Sequence, residues 1–186
     1  MRKFFSCLVS VFSLSSFYFS SASLAVERLA VMDLKAKHGV RKSLAEGLSV
    51  VVRDAIQGLG HYEVLSKDDV GMIAERTAIR QSLGCDDTKC LIDIGRSLGS
   101  KFMVAGAISK FGATYNLSLR LINTVGKDAG VKNRASKTCK CAEDELINTS
   151  VALAAELMEE ARTRPASSTK KRDNATDRLD KDKEKR

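Results

Sequence analysis

Apolar positions along the chain change their spacing from segment to segment, and each change marks an element. Arg28–Leu34 (Arg-Leu-Ala-Val-Met-Asp-Leu) is a short apolar run that predicts a strand, and the polar stretch Lys35–Lys42 after it predicts a loop. Leu44, Leu48, Val51, Val52, Ala55 and Leu59 then recur at helical spacing until Gly58 and Gly60 close the segment. Ser43 and Glu46 have the spacing of a capping box, in which each side chain satisfies the other residue's free backbone N–H. Tyr62–Leu65 predicts a second strand. Ser66 and Asp69 mark another capped start, with Val70, Ile73, Ala74, Thr77 and Ala78 on the buried side of a helix reaching about Leu83. After a turn containing Cys85 and Cys90, Lys89–Leu98 predicts a third helix through Leu91, Ile94 and Leu98, stopped by Gly99.

The second half of the chain switches to strand patterns. Phe102–Ile108 is almost wholly apolar, as expected of a strand covered on both faces. Thr114–Asn123 alternates, with Tyr115, Leu117, Leu119 and Leu121 inward and Asn116, Ser118 and Arg120 outward. Gly112 and Ala113 supply the turn of a hairpin between these two strands. Val131–Lys140 alternates more weakly and predicts a polar edge strand after the Gly126–Gly130 turn. A last helix is expected from about Glu143 to Arg162. Glu143, Asp144 and Glu145 complement the dipole of its first turn, and Leu146, Val151, Leu153 and Leu157 form its buried side. The order β-α-β-α-α-β-β-β-α predicts one α/β domain over residues 26–162, a mixed sheet with helices packed on it. No internal repeat is visible.

The N-terminus has a different character. Arg2 and Lys3 precede an apolar run from Phe4 to Phe19, and Ser20–Ala25 supplies small residues, with Ser23 and Ala25 at the spacing a signal peptidase accepts. Residues 1–25 therefore read as an export signal. The apolar stretch is shorter than the roughly 20 residues of a membrane-spanning helix, although a retained anchor is the competing reading. Cys7 sits too early, and lacks the small-residue approach, for lipid attachment.

Charge changes the picture only after it is divided by segment. The chain carries a formal +8, but residues 26–162 hold 20 basic and 18 acidic groups. The basicity lies mostly in the first 25 residues and in residues 163–186, so the sequence gives the domain no concentrated basic face. With three Tyr, seven Phe and no Trp in the whole chain, a base-stacking platform is disfavoured, and nucleic acid is not an expected partner. Residues 163–186 carry 9 basic and 5 acidic groups with Leu179 the one large aliphatic, the composition of a disordered charged tail. Such a tail solubilises, or tethers loosely to anionic lipid head groups or other envelope polymers.

Cysteine spacing carries the sharpest local signal. Cys85 and Cys90 bracket Asp-Asp-Thr-Lys, and Cys139 and Cys141 flank Lys140. An even number in an exported domain points to disulfides. A Cys85–Cys90 bridge closes a tight turn with ease. In an extended strand Cys139 and Cys141 would have Cα atoms about 6.6 Å apart, at the upper limit for a bridge, so bonding them needs a bend. A long-range pair such as Cys90 with Cys139 would constrain the unfolded chain more. Four thiolates could also bind zinc, but this spacing is not that of a zinc ribbon. A redox enzyme would want Cys-x-x-Cys, which is absent.

Little points to catalysis. His38 and His61 have no nearby serine or cysteine in a nucleophile setting, and Asp68-Asp69 and Asp86-Asp87 stand immediately before helical runs, where carboxylates cap. No glycine-rich phosphate loop follows a strand, so no cofactor or metal is expected. An enzyme of another type would need His38 or Asp86 for activity but not for stability.

The segments Leu-Ala-Val-Met-Asp-Leu (29–34), Tyr-Glu-Val-Leu-Ser-Lys-Asp-Asp-Val (62–70), Gly-Ser-Lys-Phe-Met-Val-Ala-Gly-Ala-Ile-Ser-Lys (99–110) and Tyr-Asn-Leu-Ser-Leu-Arg-Leu-Ile-Asn-Thr (115–124), in this order, carry a family resemblance. Over about residues 28–160 the chain resembles the α/β domain of the curli-secretion (CsgG-type) lipoproteins, the flagellar outer-membrane FlgO-type proteins and the TolB amino-terminal domain. The Cys85–Cys90 loop resembles that of a cysteine-bearing subset of such domains in short exported proteins. The resemblance implies a non-enzymatic periplasmic or outer-membrane-associated module that docks to envelope or secretion machinery. No lipobox precedes the domain, no propeller follows it, and there is no room for the membrane hairpins of a curli-type pore. An accessory or scaffold protein is therefore expected rather than a pore. The edge strand Val131–Lys140 and the Lys35–Lys42 loop are the expected docking surfaces, because an unpaired edge accepts a strand from another chain. A small-ligand or peptidoglycan-binding periplasmic module is the alternative.

Overall fold

Leu29, Ala30 and Val31 are all buried at the centre of the sheet, and the path of the chain around them sets the fold. The computed structural model describes residues 26–76 and 87–163. The strands are β1 (Glu27–Val31), β2 (Lys35–Lys37), β3 (Tyr62–Leu65), β4 (Phe102–Phe111), β5 (Thr114–Asn123) and β6 (Gly130–Cys139). The helices are α1 (Lys42–Gly58), α2 (Lys67–Arg76), α3 (Thr88–Ser97) and α4 (Glu145–Thr163). The export signal of residues 1–25, the expected extension of α2 to Leu83, Cys85, Asp86 and the tail beyond Thr163 lie outside the described residues.

One mixed open sheet holds every strand, in the order β3-β1-β4-β5-β6. β1 is parallel to both β3 and β4, whereas β4, β5 and β6 are antiparallel. The connection β1-α1-β3 steps to one side of β1, and β3-α2-α3-β4 steps back past it. Parallel crossovers are right-handed in nearly all proteins, so opposite steps put their helices on opposite faces. Accordingly α1 joins a core with Leu29, Val31, Val104 and Leu121, which α4 shares through Leu146, Leu153 and Leu157. Leu91, Ile94 and Leu98 of α3 form a second core with Ala30, Leu65, Met103 and Ile122 on the other face. Gly95 lets α3 approach closely, since a Cβ there would lie 2.7 Å from Met103 Sδ.

The α/β class and mixed sheet are as expected from the sequence, and β5 has the expected bounds and inward residues. Four local expectations are corrected. Lys35–Lys37 is not loop but a short strand parallel to β4, extending the edge that β1 leaves free. The Ser43–Glu46 capping box does not form: the helix starts earlier, Arg41 occupies the N-cap without a side-chain bond, and Glu46 lies 3.7 Å from Lys42 Nζ instead. Val151 is exposed, because the buried stripe of α4 runs through Leu146, Ser150, Leu153, Ala154, Leu157 and Met158, and Val151 falls off it. The helix itself begins at Glu145, leaving Glu143 to hold Arg41 at 2.5 Å. The capping pattern at Ser66 is present: Asp69 Oδ2 accepts from Ser66 N and Oγ, and Ser66 Oγ accepts from Asp69 N.

Candidate functional site: an open sheet face and its edge

Helices cover the two halves of the sheet unequally. Past Ala105 on the α3 side, the described residues leave a concavity of about 520 Å³ over β2, β4, β5 and β6. Its floor is built from Ala105, Gly106, Ala107, Ser118 and Ser136, and its cations are Lys35, Lys37, Arg120 and Arg134. Strand register assembles it. Arg120 lies opposite both Ala105 and Arg134, Ser118 opposite both Ala107 and Ser136, and Lys35 opposite Ala107. The near-balance of charge over residues 26–162 predicts no concentrated basic face, yet Lys35, Lys37, Arg120 and Arg134 line one concavity. Four cations scattered from position 35 to position 134 become neighbours only through the ladder.

β6 bounds this face and is an edge strand of ten residues, paired among the described strands with β5 alone. Its register shifts between Leu121 and Ile122, leaving Lys132 without an opposite residue. The irregularity keeps Asn133 on the core side, where its Nδ2 donates to Leu157 O at 2.9 Å and its Oδ1 accepts from Arg134 N at 2.8 Å. Where the strand ends, Cys139 and Cys141 are disulfide-bonded with Cα atoms 5.3 Å apart, nearer than an extended strand would hold them. Cys90 is also disulfide-bonded, while Cys85, its expected local partner, lies outside the described residues. Cys90 packs against the α3-side core and Cys139 and Cys141 against the opposite one, so the sheet separates them. Glu145 approaches the Cys139–Cys141 pair, with the three donor atoms within 4.8 Å of one another. Sulfurs joined in a disulfide are not thiolates, and the bonded pair is not a zinc ligand set.

The other singled-out residues have structural partners. His38 adopts φ +37° in the turn after β2, with its ring 5.3 Å from that of Phe111 and its carbonyl accepting from Lys110 N. His61 stands at the opposite end of the sheet, before β3, with Nε2 3.0 Å from Arg162 Nη1. Neighbouring Tyr62 has its phenol pKa raised by burial first and by Glu27 second, with Arg162 pulling the other way. Asp87 caps α3 by accepting from Cys90 N at 2.9 Å. Two buried polar groups escaped sequence reasoning. Ser49 Oγ accepts from Leu34 N and donates to Ala45 O, and Arg53 Nη2 donates to Val31 O while lying 3.7 Å from Asp33. Both sit at helical spacing on the inner side of α1, the only signal that could have found them.

No known protein family matches the sequence, and neither does any curated protein. Solved structures do. The C-terminal domain of LpoB from Escherichia coli superposes with a TM-score of 0.50 at 13% identity, covering 61% of this chain and 82% of that domain. Lipoprotein GNA1162 from Neisseria meningitidis has a TM-score of 0.47 at 10% identity over 71% of this chain and 96% of its own. TolB from Acinetobacter baumannii has 0.47 at 11% identity over 74% of this chain, but that match spans only 28% of TolB. The chain thus shares its fold with the LpoB domain, and the narrower CsgG, FlgO and TolB grouping finds no match at the family level.

Proposed function

We propose that the protein is an exported, non-catalytic docking module of the bacterial cell envelope, and that a partner's extended segment adds to the free edge of β6. The observation that carries this reading is β6 itself, ten residues long and paired with β5 on one side only among the described strands. An exposed ladder edge offers a row of backbone donors and acceptors to an incoming strand. Three features support the reading. Residues 1–25 read as an export signal, the fold is that of the LpoB domain, and His38, His61, Asp69 and Asp87 are held in a turn, a hydrogen bond to Arg162 and two helix caps.

The test is photo-crosslinking in living cells, with the crosslinking residue placed at Thr138 on β6 or at Val50, exposed on α1. A discrete envelope protein captured from position 138 and not from position 50 is the expected result. Equal capture from both positions, or only copies of the chain itself from position 138, overturns the proposal.

A further inference from the structure

The geometry points to the Cys139–Cys141 disulfide as a reversible exchange site, opened by the dithiol of another protein, that switches the joint between β6 and α4. A separation of 2 in the sequence makes this bond a poor structural tie, because the stabilisation gained by restricting the unfolded chain falls with the length of the loop closed. The pair is also within reach of an attacking thiolate: Cys139 and Cys141 are half-buried, and Lys140 between them is exposed. Accessible disulfides are the labile and regulatory ones.

The bond acts on the path of the chain. It draws the two Cα atoms to 5.3 Å, and β6 ends at Cys139, one position short of Thr114 on β5. An extended strand would hold the same atoms about 6.6 Å apart, so the closed pair requires a bend. That bend turns the chain toward α4 and brings Glu143 to two partners. Its Oε2 accepts from Arg41 Nη2 at 2.5 Å, and its Oε1 accepts from the Tyr115 hydroxyl at 3.4 Å. Arg41 is the N-cap residue of α1 and makes no side-chain cap bond there. The closed disulfide thus ties the end of β6 to the start of α1.

Opening is a balanced exchange. One thiolate of the dithiol attacks a sulfur of the pair, the Cys139–Cys141 bond breaks, and a mixed disulfide forms. The second thiolate then attacks the mixed disulfide and releases the chain. Two electrons and two protons pass to Cys139 and Cys141, and the dithiol leaves as a disulfide. The Glu145 carboxylate has a donor atom within 4.8 Å of both sulfurs, so it disfavours a thiolate there, keeps the opened pair as thiols and slows reclosure. With the bend relaxed, Glu143 no longer reaches Arg41. The switch needs no strand on β6, so it stands or falls apart from strand addition.

Dithiothreitol is the probe, with alkylation and peptide mass spectrometry to locate opened cysteines and hydrogen exchange to read the joint. Cys139 and Cys141 should open in the folded chain no more than about tenfold slower than in the chain unfolded by guanidinium. Opening should raise exchange several-fold at Ala45, whose N–H donates to Arg41 O, and at Ile147, whose N–H donates to Asp144 O. Reoxidation should reverse both changes. Cys139→Ser with Cys141→Ser should show the same raised exchange without reductant, which removes any contribution from the disulfide of Cys90. Glu143→Gln, with the bond intact, should raise exchange at Ala45 as well. Sulfurs that open only when the chain unfolds, or exchange at Ala45 unchanged in these states, overturn the proposal. A double variant that does not fold marks the bond as a structural tie and overturns it too.

Discussion

β1 and β5 flank the same strand, β4, from opposite sides, yet they use their side chains differently. In β1, consecutive residues Leu29, Ala30 and Val31 are all buried, because α1 lies over one face and α3 over the other. In β5, Leu117, Leu119 and Leu121 are buried while Ser118 is exposed, because α4 covers one face and no described helix covers the second face past Ala105. At the centre of β1, every position from Leu29 to Val31 is spent on packing. Between Tyr115 and Leu121, β5 spends every other one, and the positions between them carry Asn116, Ser118 and Arg120. The difference follows from connectivity: right-handed crossovers supply helices to the parallel strands, whereas hairpins between β4, β5 and β6 supply none.

The contrast can be broken by substitution, beginning where the largest effect is expected. Leu29→Ala, at a fully buried position between two layers, should cost about 2–5 kcal/mol in urea denaturation. Ser136→Ala, exposed on the open face, should change stability by no more than about 0.5 kcal/mol. Comparable costs at the two sites would mean that the second face is covered in solution.

A middle-sized effect is expected where the halves join. Ser49 Oγ accepts from Leu34 N at 2.8 Å, at the break between β1 and β2. Ser49→Ala leaves that buried N–H without its acceptor and should cost about 1–3 kcal/mol. Hydrogen exchange at Leu34 should rise in the same variant. Unchanged protection there would show that the bond does not hold the break in place.

The smallest effect is expected at the start of α2, in the covered half. Hydrogen bonds from the Ser66 side chain and backbone hold the Asp69 carboxyl below its usual pKa. A lowered folded pKa means that the ionised form favours the fold. Its contribution is complete above the ordinary carboxylate value and is lost as pH falls through the folded value. An NMR pH titration of Asp69 should give a midpoint below that of an unstructured aspartate, with α2 fraying at acid pH. The Asp69→Asn variant should fray without that pH dependence. An ordinary midpoint would show that the cap is not formed in solution.

The same contrast explains what could be read from the chain. β5 was legible residue by residue, since half-covered strands print their burial as alternation, whereas the apolar run Phe102–Ile108 predicts cover on both faces, which holds only as far as Ala105, with Gly106 and Ala107 half-buried beyond it. β2 was not, because Lys-Ala-Lys has no pattern of its own and pairs through backbone groups that β4 leaves open beyond Val31. Ser43 and Glu46 fitted a local rule that failed because the N-cap lies two residues earlier, at Arg41. Val151 misled because it is apolar but lies off the stripe defined by Leu146 and Leu153. The basic concavity was the least legible feature of all. Arg120 was readable as outward-facing, but its meeting with Arg134 depends on the β5–β6 register, and no spacing within either strand encodes that.

The composition of β6 has a consequence for self-association. Between Gly130 and Cys139 the strand carries Lys132, Arg134 and Lys137 and not one acidic residue. A second copy of this edge would bring cations against cations in either direction of pairing, and positive side chains on an edge strand are a known guard against sheet-to-sheet polymerisation. The edge, unpaired on one side among the described strands, is thus guarded against its own copies: it discourages fibrils and strand-swapped dimers at high local concentration.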